Sequence, residues 1–252
     1  MSAYVQDEPV HLAFDKTIAT IVLNRPHVGN ALNSEMVDSL DAAFDNALQG
    51  GARLIVFRGS GKHMCTGFDL SDLESCSDGD LLLRFVRIEK LLQKIFRCSV
   101  VTAAVGCGRV YGAGADLFAS CDRRISLAEA SFSFPGSNFG LILGTRRLAE
   151  RTGRDAARRM LIAGKVIPAT EAVNSGLVTD HCEAQNLESL LTIIAGEASR
   201  LSARTVSALH SATSSSDDDA DLAALVSSAS HPGLKDRIKA YRQAVSQRRS
   251  TN

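Results

Sequence analysis

Two glycine-rich turns, each following a short apolar segment, constrain the fold of this chain more than any other feature. The first turn covers residues 64–70 and comes after the apolar residues 54–57; the second covers residues 108–117 and comes after residues 100–105. Glycine lets the backbone approach another group closely because no side chain stands in the way. The second turn also opens a helical segment, whose first N–H groups have no internal acceptor. Two such N–H groups from separate turns are suited to holding one carbonyl oxygen on which negative charge develops.

Strand and helix patterns alternate through the first half of the chain. Short β-branched runs predict strands, and apolar residues at helical spacing predict helices. The predicted strands are residues 10–14, 17–23, 54–57, 100–105 and 124–127, and the predicted helices are residues 36–48, 81–96 and 116–120. This alternation predicts an α/β fold that binds ligands at loops beyond the strand ends.

The second half of the chain has a different pattern. From Gly144 onward the sequence is almost all helical, with one strand-like piece at residues 177–179 and a basic helix over residues 234–249. The polar, acidic residues 214–221 are typical of a loop and an acid-rich first helical turn. We therefore predict an α/β core over residues 1–185 and a helical extension over residues 186–252.

Composition excludes several classes of function. The 252 residues are 45% hydrophobic and carry 28 basic and 28 acidic side chains, so there is no basic excess for nucleic acid or a membrane surface. No apolar run reaches the roughly eighteen residues of a transmembrane helix. Residues 1–9 lack the pattern of a secretion signal. The six cysteines form no C-x-x-C pair, so we expect reduced thiols, no metal site and a cytoplasmic location.

Several short motifs occur in the order and at the spacing of a known family. They are Asn24-Arg25-Pro26 with Asn30-Ala31-Leu32-Asn33, Thr66-Gly67-Phe68-Asp69-Leu70, Gly112-Ala113-Gly114-Ala115-Asp116-Leu117 with Cys121-Asp122, Gly144-Thr145-Arg146-Arg147-Leu148, and Ala172 with Gly176-Leu177-Val178. On these motifs the chain resembles the crotonase superfamily, which includes the enoyl-CoA hydratases and isomerases. The resemblance covers about residues 12 to 178.

This resemblance implies a fold, a substrate class and an assembly. The fold would be α/β, with a crotonase-like ββα spiral core over residues 1–185 and a C-terminal helical trimerisation region over residues 186–252. The substrate would be an acyl-CoA thioester, with coenzyme A arriving as part of the substrate and no permanently bound cofactor. The chain would assemble as a homotrimer or as a hexamer made of two trimers.

The resemblance also implies roles for particular residues. The backbone N–H groups of Phe68 and Ala113 would form the oxyanion hole for the thioester oxygen, although the Phe68 ring also fits ordinary core packing. The positions carried over as contacts to the substrate or to CoA are Arg25, Thr66, Gly67, Asp69, Gly112 and Gly136. Arg25 fits a solvated surface charge equally well.

The chain departs from the family pattern where the acid–base chemistry is done. Orthodox hydratases use two glutamates to add water across a double bond, and both must be in place. The first position is Asp116, which fits either a catalytic carboxylate or an acid stabilised at the start of a helix. The second position is Gly136, which has no proton to move. The polar neighbours Ser133, Ser137 and Asn138 are best explained by loop hydrogen bonds, and Arg109 and Tyr111 face either the acyl group or solvent.

These features predict an enzyme that stabilises the enolate of an acyl-CoA, of the hydratase/isomerase (lyase or isomerase) type, with Asp116 as its acid–base group. Because the second glutamate is replaced by Gly136, orthodox hydratase activity is doubtful. The alternatives are other reactions that use the same oxyanion hole, namely acyl-CoA hydrolysis, decarboxylation or carbon–carbon cleavage. A further alternative is an acyl-CoA-binding protein without catalysis.

Overall fold

The computed structural model describes residues 8–215 and 217–250; most of the polar N-terminal stretch (residues 1–9) lies outside the described residues. Within this part of the chain, nine strands alternate with ten α-helices. The strands are β1 (Val10–Asp15), β2 (Ile18–Leu23), β3 (Leu54–Gly59), β4 (Val101–Gly106), β5 (Arg109–Tyr111), β6 (Arg123–Leu127), β7 (Ser131–Ser133), β8 (Ile167–Pro168) and β9 (Asp180–Cys182). The helices are α1 (Ser34–Gln49), α2 (Asp78–Phe96), α3 (Ala113–Ser120), α4 (Thr145–Thr152), α5 (Arg154–Ala163), α6 (Ala169–Asn174), α7 (Leu187–Ser199), α8 (Ala203–Thr213), α9 (Asp218–Ala229) and α10 (Leu234–Ser250).

The larger sheet has six strands in the order β1-β2-β3-β4-β6-β9. β1 and β2, which the sequence predicts as two strands separated by two residues, form an antiparallel hairpin, and the remaining neighbours pair in parallel. Parallel strands covered on both faces are apolar along their length, which explains the buried run of residues 54–57 in β3. The smaller sheet has the order β5-β7-β8. The α/β prediction is confirmed.

Helix starts follow the capping residues in the sequence. The Asn33 side chain accepts a hydrogen bond from the Met36 N–H, which begins α1, and Ser77 and Asp80 form a reciprocal capping box that begins α2. The acidic residues 214–221 contain the start of α9, where the Asp217 side chain accepts from the Ala220 N–H. The predicted loop and acidic first turn are therefore confirmed.

The strand predicted at residues 177–179 is wrong, because the ladder forms three residues later in β9. Leu177 and Val178 are buried, and the Val178 N–H donates to the Ala172 carbonyl, so the chain is still turning away from α6 at this point. Their apolar side chains fill the core without joining the sheet. The strands β5, β7 and β8 were not predicted because two or three residues are too few to show a period.

Two apolar clusters pack against the larger sheet, and the C-terminal helices contribute to both. Leu225 of α9 and Ile238 of α10 belong to the cluster that contains α1, α2 and α3. Leu191 and Ile194 of α7 belong to the cluster that covers Val56, Ala103 and Ile125 on the strands. The helices beyond residue 185 therefore share their cores with the strands. Their separate role as an oligomerisation region stays a prediction.

An ion pair between His210 and Asp122 connects α8 to the core. The His210 Nε2 lies 3.0 Å from Asp122 Oδ1, and Asp122 Oδ2 accepts hydrogen bonds from the Thr102 backbone and hydroxyl. The hydrogen bond to Asp122 raises the pKa of His210 above its ordinary 6.5. Burial by itself would raise the pKa of Asp122, but its hydrogen bond from His210 brings that pKa below the ordinary 3.8. Both partners are therefore charged in mildly acidic solution.

This pair should give the folded chain a pH-dependent stability. The histidine contribution is complete below about pH 6.5 and is lost as the pH rises through the raised folded pKa. The aspartate contribution is complete above about pH 4 and is lost as the pH falls through the lowered folded pKa. We expect His210→Gln to reduce the free energy of unfolding by about 1.5 kcal/mol near pH 5.5 and by clearly less at pH 9. Urea unfolding at both pH values measures this, and a pH-independent difference would contradict it.

Candidate active site

The first glycine-rich turn is held beside residues 29–32 by backbone hydrogen bonds. The Leu32 N–H donates to the Gly67 carbonyl at 2.8 Å, and the Asp69 N–H donates to the Leu32 carbonyl at 3.0 Å. The Phe68 N–H between them takes part in no hydrogen bond with any described residue. The turn therefore presents one free backbone donor.

The second turn is tied to the first through Cys65. The Tyr111 N–H donates to the Cys65 carbonyl at 2.9 Å, and the Cys65 N–H donates to the Arg109 carbonyl at 3.4 Å. α3 then begins at Ala113, with Gly112 as its N-cap. As the first residue of a helix, Ala113 has an N–H without an intrahelical acceptor, and no other described residue accepts from it.

The two turns approach each other so closely that no side chain fits at Gly67. A Cβ placed on Gly67 would lie 2.8 Å from the Tyr111 carbonyl oxygen and 3.5 Å from the Ala113 nitrogen. Gly67 also has a φ of +102°, where residues with a side chain are strained. A Cβ on Gly112 would in turn lie 3.7 Å from the Gly67 Cα. The free N–H groups of Phe68 and Ala113 therefore belong to two segments in direct contact.

Both turns open into a cavity of about 430 Å³. Its walls come from the two turns, from α2, from the short 3₁₀ turn at Pro135–Phe139 and from α10. The lining residues are Thr66, Gly67, Phe68, Leu70, Phe85, Tyr111, Gly112, Ala113, Asp116, Phe134, Pro135, Gly136, Phe139, Leu141, Leu143, Leu161, Ile238, Tyr241, Arg242, Val245 and Ser246. The cavity is thus mostly apolar, with two charged residues in its wall, Asp116 and Arg242.

Asp116 lies in the first turn of α3 and is only 6% exposed. Burial raises the pKa of this carboxyl well above its usual range; the charge of Arg147 acts in the opposite direction, and that of Glu89 adds to the rise. No described residue donates a hydrogen bond to the carboxyl group. A Cβ on Gly144 would overlap an Asp116 side-chain oxygen, so the absence of a side chain at Gly144 makes room for the carboxyl. Asp116 is therefore a desolvated acid at the cavity wall.

Behind Asp116 lies a buried ion pair. Arg147 donates to both carboxylate oxygens of Glu89, at 2.9 and 2.5 Å, and each side chain is 1% exposed. Gln93 donates a further hydrogen bond to Glu89 at 2.9 Å. Asp221 of α9 lies 3.8 Å from Arg147. The pair connects α2 and α4 and sets part of the electrostatic field at Asp116.

Removing one partner of this pair should unfold the chain far more easily. We expect Arg147→Met to lower the free energy of unfolding by about 3–5 kcal/mol, because Glu89 is left as a buried charge without a partner. The double variant Arg147→Met/Glu89→Met should recover most of that loss, since both charges are gone. Urea unfolding of the two variants measures the difference. A double variant as unstable as the single one would contradict this explanation.

Gly136, where the family resemblance predicts the position of the second glutamate, lines the cavity. A Cβ built there would meet the Leu141 carbonyl oxygen at 3.4 Å and the Leu141 Cβ at 3.9 Å, both ordinary contacts. The backbone thus has room for a side chain that this chain does not supply. The polar neighbours do not replace it: Ser137 donates to the Leu161 carbonyl at 2.5 Å, and Ser133 and Asn138 are not among the lining residues.

The structure brings most of the predicted site residues together. The cavity is lined by Thr66, Gly67, Phe68, Gly112, Ala113, Asp116 and Gly136. Arg25 and Asp69 do not line it; they pair with each other at 2.8 Å, and Arg25 also donates to the Ala31 carbonyl. This pair joins the first turn to the segment after β2, and its predicted contact with CoA stays a prediction. Tyr111 lines the cavity, whereas Arg109 is exposed and does not.

Two parts of the site were not predicted from the sequence. One is the buried Glu89, which follows Leu81 and Phe85 at helical spacing on the apolar face of α2; a carboxylate on that face was the available signal. The other is the wall formed by Ile238, Tyr241 and Val245 of α10. No pattern in the sequence indicates where a C-terminal helix will fold back.

Other kinds of site find little support in the described residues. Burial raises the pKa of Cys65, beside the first turn, to about 12, so this thiol is not a ready nucleophile. Among residues 8–215 and 217–250, no three His, Cys, Asp or Glu side chains are grouped to hold a metal ion. No helix in these same ranges has both the length and the apolar character needed to cross a membrane.

Comparison with solved structures gives the family. The crystal structure of a Bordetella parapertussis protein assigned to the enoyl-CoA hydratases/isomerases matches with a TM-score of 0.89 and 41% identity, over 92% of this chain and 98% of that chain. The crystal structure of an enoyl-CoA hydratase from Bacillus halodurans matches with a TM-score of 0.81 over 92% of this chain and 99% of that chain. At 23% identity the second match supports the fold alone.

Sequence comparison indicates the same family as the comparison with solved structures. The model of the enoyl-CoA hydratase/isomerase family matches residues 13–248. The "probable enoyl-CoA hydratase echA6" of Mycobacterium bovis is 35% identical over 165 residues, which is 64% of this chain and 66% of that protein. A "probable enoyl-CoA hydratase" of Rhodobacter capsulatus is 37% identical over 64% of this chain and 63% of its own length. This chain belongs to the enoyl-CoA hydratase/isomerase family, within the crotonase superfamily that its motifs indicated.

Proposed function

We propose that this chain is an enzyme that binds an acyl-CoA and stabilises the enolate of its thioester, in chemistry of the hydratase/isomerase type. The observation that carries the proposal is that Phe68 and Ala113, whose backbone N–H groups have no acceptor among the described residues, line one cavity together with Asp116. Relatives named as enoyl-CoA hydratases support the substrate class.

The two N–H groups would hold the thioester oxygen. Donors that are already oriented stabilise a developing oxyanion without having to reorganise during the reaction. Ala113 adds the positive end of the α3 dipole, which favours negative charge at the same point. Gly67 and Gly112 keep side chains away from the oxygen, so the thioester can approach the backbone directly.

Asp116 would move the proton. In the forward direction its carboxylate takes a proton from the carbon next to the thioester, and the electron pair of that C–H bond moves onto the oxygen held by the amides. Burial raises the pKa of Asp116, so its carboxylate is a stronger base than that of an exposed aspartate. The same carboxyl returns the proton in the reverse step.

The absence of a carboxylate at Gly136 limits the possible reactions as much as the presence of Asp116 does. Hydration by two carboxylates is not available, so the reactions that fit best need one proton carrier and one oxyanion hole. Hydrolysis, decarboxylation and carbon–carbon cleavage of acyl-CoA substrates are such reactions, whereas isomerisation would have to proceed through Asp116 alone. A second candidate, acyl-CoA binding without catalysis, is favoured by the same absence of a side chain at Gly136.

Restoring the second carboxylate should create hydratase activity. We expect Gly136→Glu to raise the rate of crotonyl-CoA hydration at least about tenfold over wild type, because a general acid–base group contributes roughly 10²–10⁴-fold when well placed. Gly136→Gln has the same size without the acidic proton and should not raise it. Loss of enoyl absorbance measures the rate. Equal rates for the two variants would contradict a catalytic role for this position.

Exchange of the α-protons tests the proposed function without assuming the final reaction. Butyryl-CoA incubated with the protein in D₂O should gain deuterium next to the carbonyl, as mass spectrometry reads directly. An enolate-forming enzyme gives exchange that Asp116→Asn abolishes. Binding of butyryl-CoA with no exchange above background would reject enolate chemistry and leave hydrolysis or the binding protein, which release of free CoA distinguishes. No binding at all would reject every one of these functions.

We also propose that the chain works as a trimer or hexamer in the cytoplasm, with CoA entering only as part of the substrate. Exposed apolar side chains on and around α5 and α6, namely Ile162, Val166 and Val173, support association. The free state of the cysteines supports a reducing compartment. Sedimentation velocity tests the assembly, and a monomer at micromolar concentration would contradict it.

A further inference from the structure

The cavity concentrates aromatic side chains from a chain that has few of them. Aromatic residues make up 5% of the sequence, with no tryptophan, ten phenylalanines and three tyrosines. Four of those phenylalanines and two of the tyrosines line this one cavity. Most of them come from different elements, so neighbouring positions along the chain do not explain the concentration.

Two aromatic pairs are already formed in the wall. Phe68 of the first turn stacks on Phe85 of α2, with ring centroids 4.4 Å apart and an angle of 26° between the rings. Phe139 of the 3₁₀ turn contacts Tyr241 of α10 at 5.5 Å and 50°. Arg237 of α10 fixes the second pair, because its Nε donates to the Phe139 carbonyl at 2.9 Å. Ring faces and edges are therefore held in set positions around the cavity.

The rest of the wall is suited to a bulky apolar group. Leu141, Leu143 and Leu161 line the cavity near Gly136, and Gly136 itself adds space where a family glutamate would project. A dry apolar cavity of about 150 Å³ is enough to bind benzene, and this cavity of about 430 Å³ has room for a ring together with the thioester end of the ligand. A four-carbon acyl group would leave much of the apolar wall without contacts, and each CH₂ that is not buried lowers the affinity about fourfold.

We propose that the acyl group carried by this enzyme bears an aromatic ring, and that Phe139 and Tyr241 determine this specificity. The proposal rests on the proposed function, because it names the substrate class of the same cavity. Offset and edge-to-face contacts between rings increase affinity about two- to twelvefold beyond the effect of the area they bury. A saturated acyl group of equal size fills the same space without that contribution.

Three CoA thioesters with eight acyl carbons separate ring recognition from size. They are octanoyl-CoA, cyclohexylacetyl-CoA and phenylacetyl-CoA, with butyryl-CoA as the short reference. We expect calorimetry to give phenylacetyl-CoA a Kd about threefold or more below that of each saturated eight-carbon ester, which corresponds to the lower half of the aromatic contribution. We expect its Kd to be at least about tenfold below that of butyryl-CoA.

Two variants assign the preference to the second aromatic pair. Phe139→Leu and Tyr241→Leu should each reduce the phenylacetyl preference over cyclohexylacetyl-CoA to less than twofold. Phe14→Leu, at an exposed ring of β1 outside the cavity, should leave the preference unchanged. Thermal melting shows which variants are folded, and either folded variant decides the assignment.

The possible outcomes of these binding measurements distinguish ring recognition from the proposed function. Equal affinities for the three eight-carbon esters would overturn ring recognition and leave the proposed function intact. A preference that a folded variant retains would overturn the assignment to the residue replaced in that variant. If none of the four esters binds, butyryl-CoA included, the proposed function itself fails.

Discussion

Replacing Gly67 by alanine is expected to lower the rate of α-proton exchange by about 10²–10³-fold, the loss typical of removing one oxyanion-hole donor. The new Cβ would lie 2.8 Å from the Tyr111 carbonyl oxygen, closer than a carbon and an oxygen approach in folded proteins. The two turns must therefore move apart, and the N–H groups of Phe68 and Ala113 no longer point at a common oxygen. The affinity for the acyl-CoA should also fall, since the thioester loses its anchor.

The matched control is Gly51→Ala. Gly51 has a φ of +76°, so alanine there meets the same backbone strain, but a Cβ at this position has no atom within 4 Å. Both variants should lose about 1 kcal/mol of stability from the strain, and only Gly67→Ala should lose exchange activity. If the two variants exchange equally fast, the contact between the turns has no part in catalysis.

Asp116→Asn is expected to abolish most proton transfer and at the same time to stabilise the fold. The loss of activity should be about 10²–10⁴-fold, the usual contribution of a positioned acid–base group, with little change in the Kd for butyryl-CoA. Burial raises the pKa of Asp116 well above its usual range, so the folded state holds this proton more tightly than the unfolded state does. The stability from this proton is complete below about pH 4 and is lost as the pH rises through the raised folded pKa.

Asparagine stays neutral at every pH, so the variant does not lose stability as the pH rises. We expect Asp116→Asn to be more stable than wild type by about 0.5–2 kcal/mol at pH 8, a gain typical of relieving a strained active-site group. At pH 3, where the wild-type carboxyl is protonated in the folded state and mostly protonated in the unfolded state, the difference should nearly vanish. Urea unfolding at the two pH values measures it. A variant that is less stable at pH 8 and still fully active would show that Asp116 is a structural acid at the start of a helix.

The sequence predicts the part of the fold that is built from long, periodic segments. The hairpin of β1 and β2, the buried strands β3 and β4 and the helices α1 and α2 all have enough residues to show their period. Residues 177–179 mislead because an apolar pair can fill a core without joining a sheet. The short strands β5, β7 and β8 form through hydrogen bonds to distant segments, which a local pattern does not record.

The same distinction between local patterns and contacts far apart in sequence applies to the candidate site. Gly67, Gly112 and Asp116 lie in two compact motifs, and the resemblance of these motifs to the crotonase superfamily predicted that they meet. Glu89 and Tyr241 reach the site through the packing of α2 and α10, which depends on contacts far apart in sequence. The interpretation of Arg25 as a contact to CoA came from position alone; the structure adds its ion pair with Asp69, a local purpose that the sequence did not indicate.

The position of the thioester oxygen between the amides of Phe68 and Ala113 is the central claim, and the carbonyl vibration of a bound ligand tests it most directly. Butyryl-CoA labelled with ¹³C at the carbonyl allows isotope-edited infrared spectroscopy of that one bond. Two hydrogen bonds in a desolvated site polarise the carbonyl, so its stretching frequency in the complex should lie below that in water and return toward the water value in Gly67→Ala. A bound carbonyl with the same or a higher frequency than in water would contradict the account.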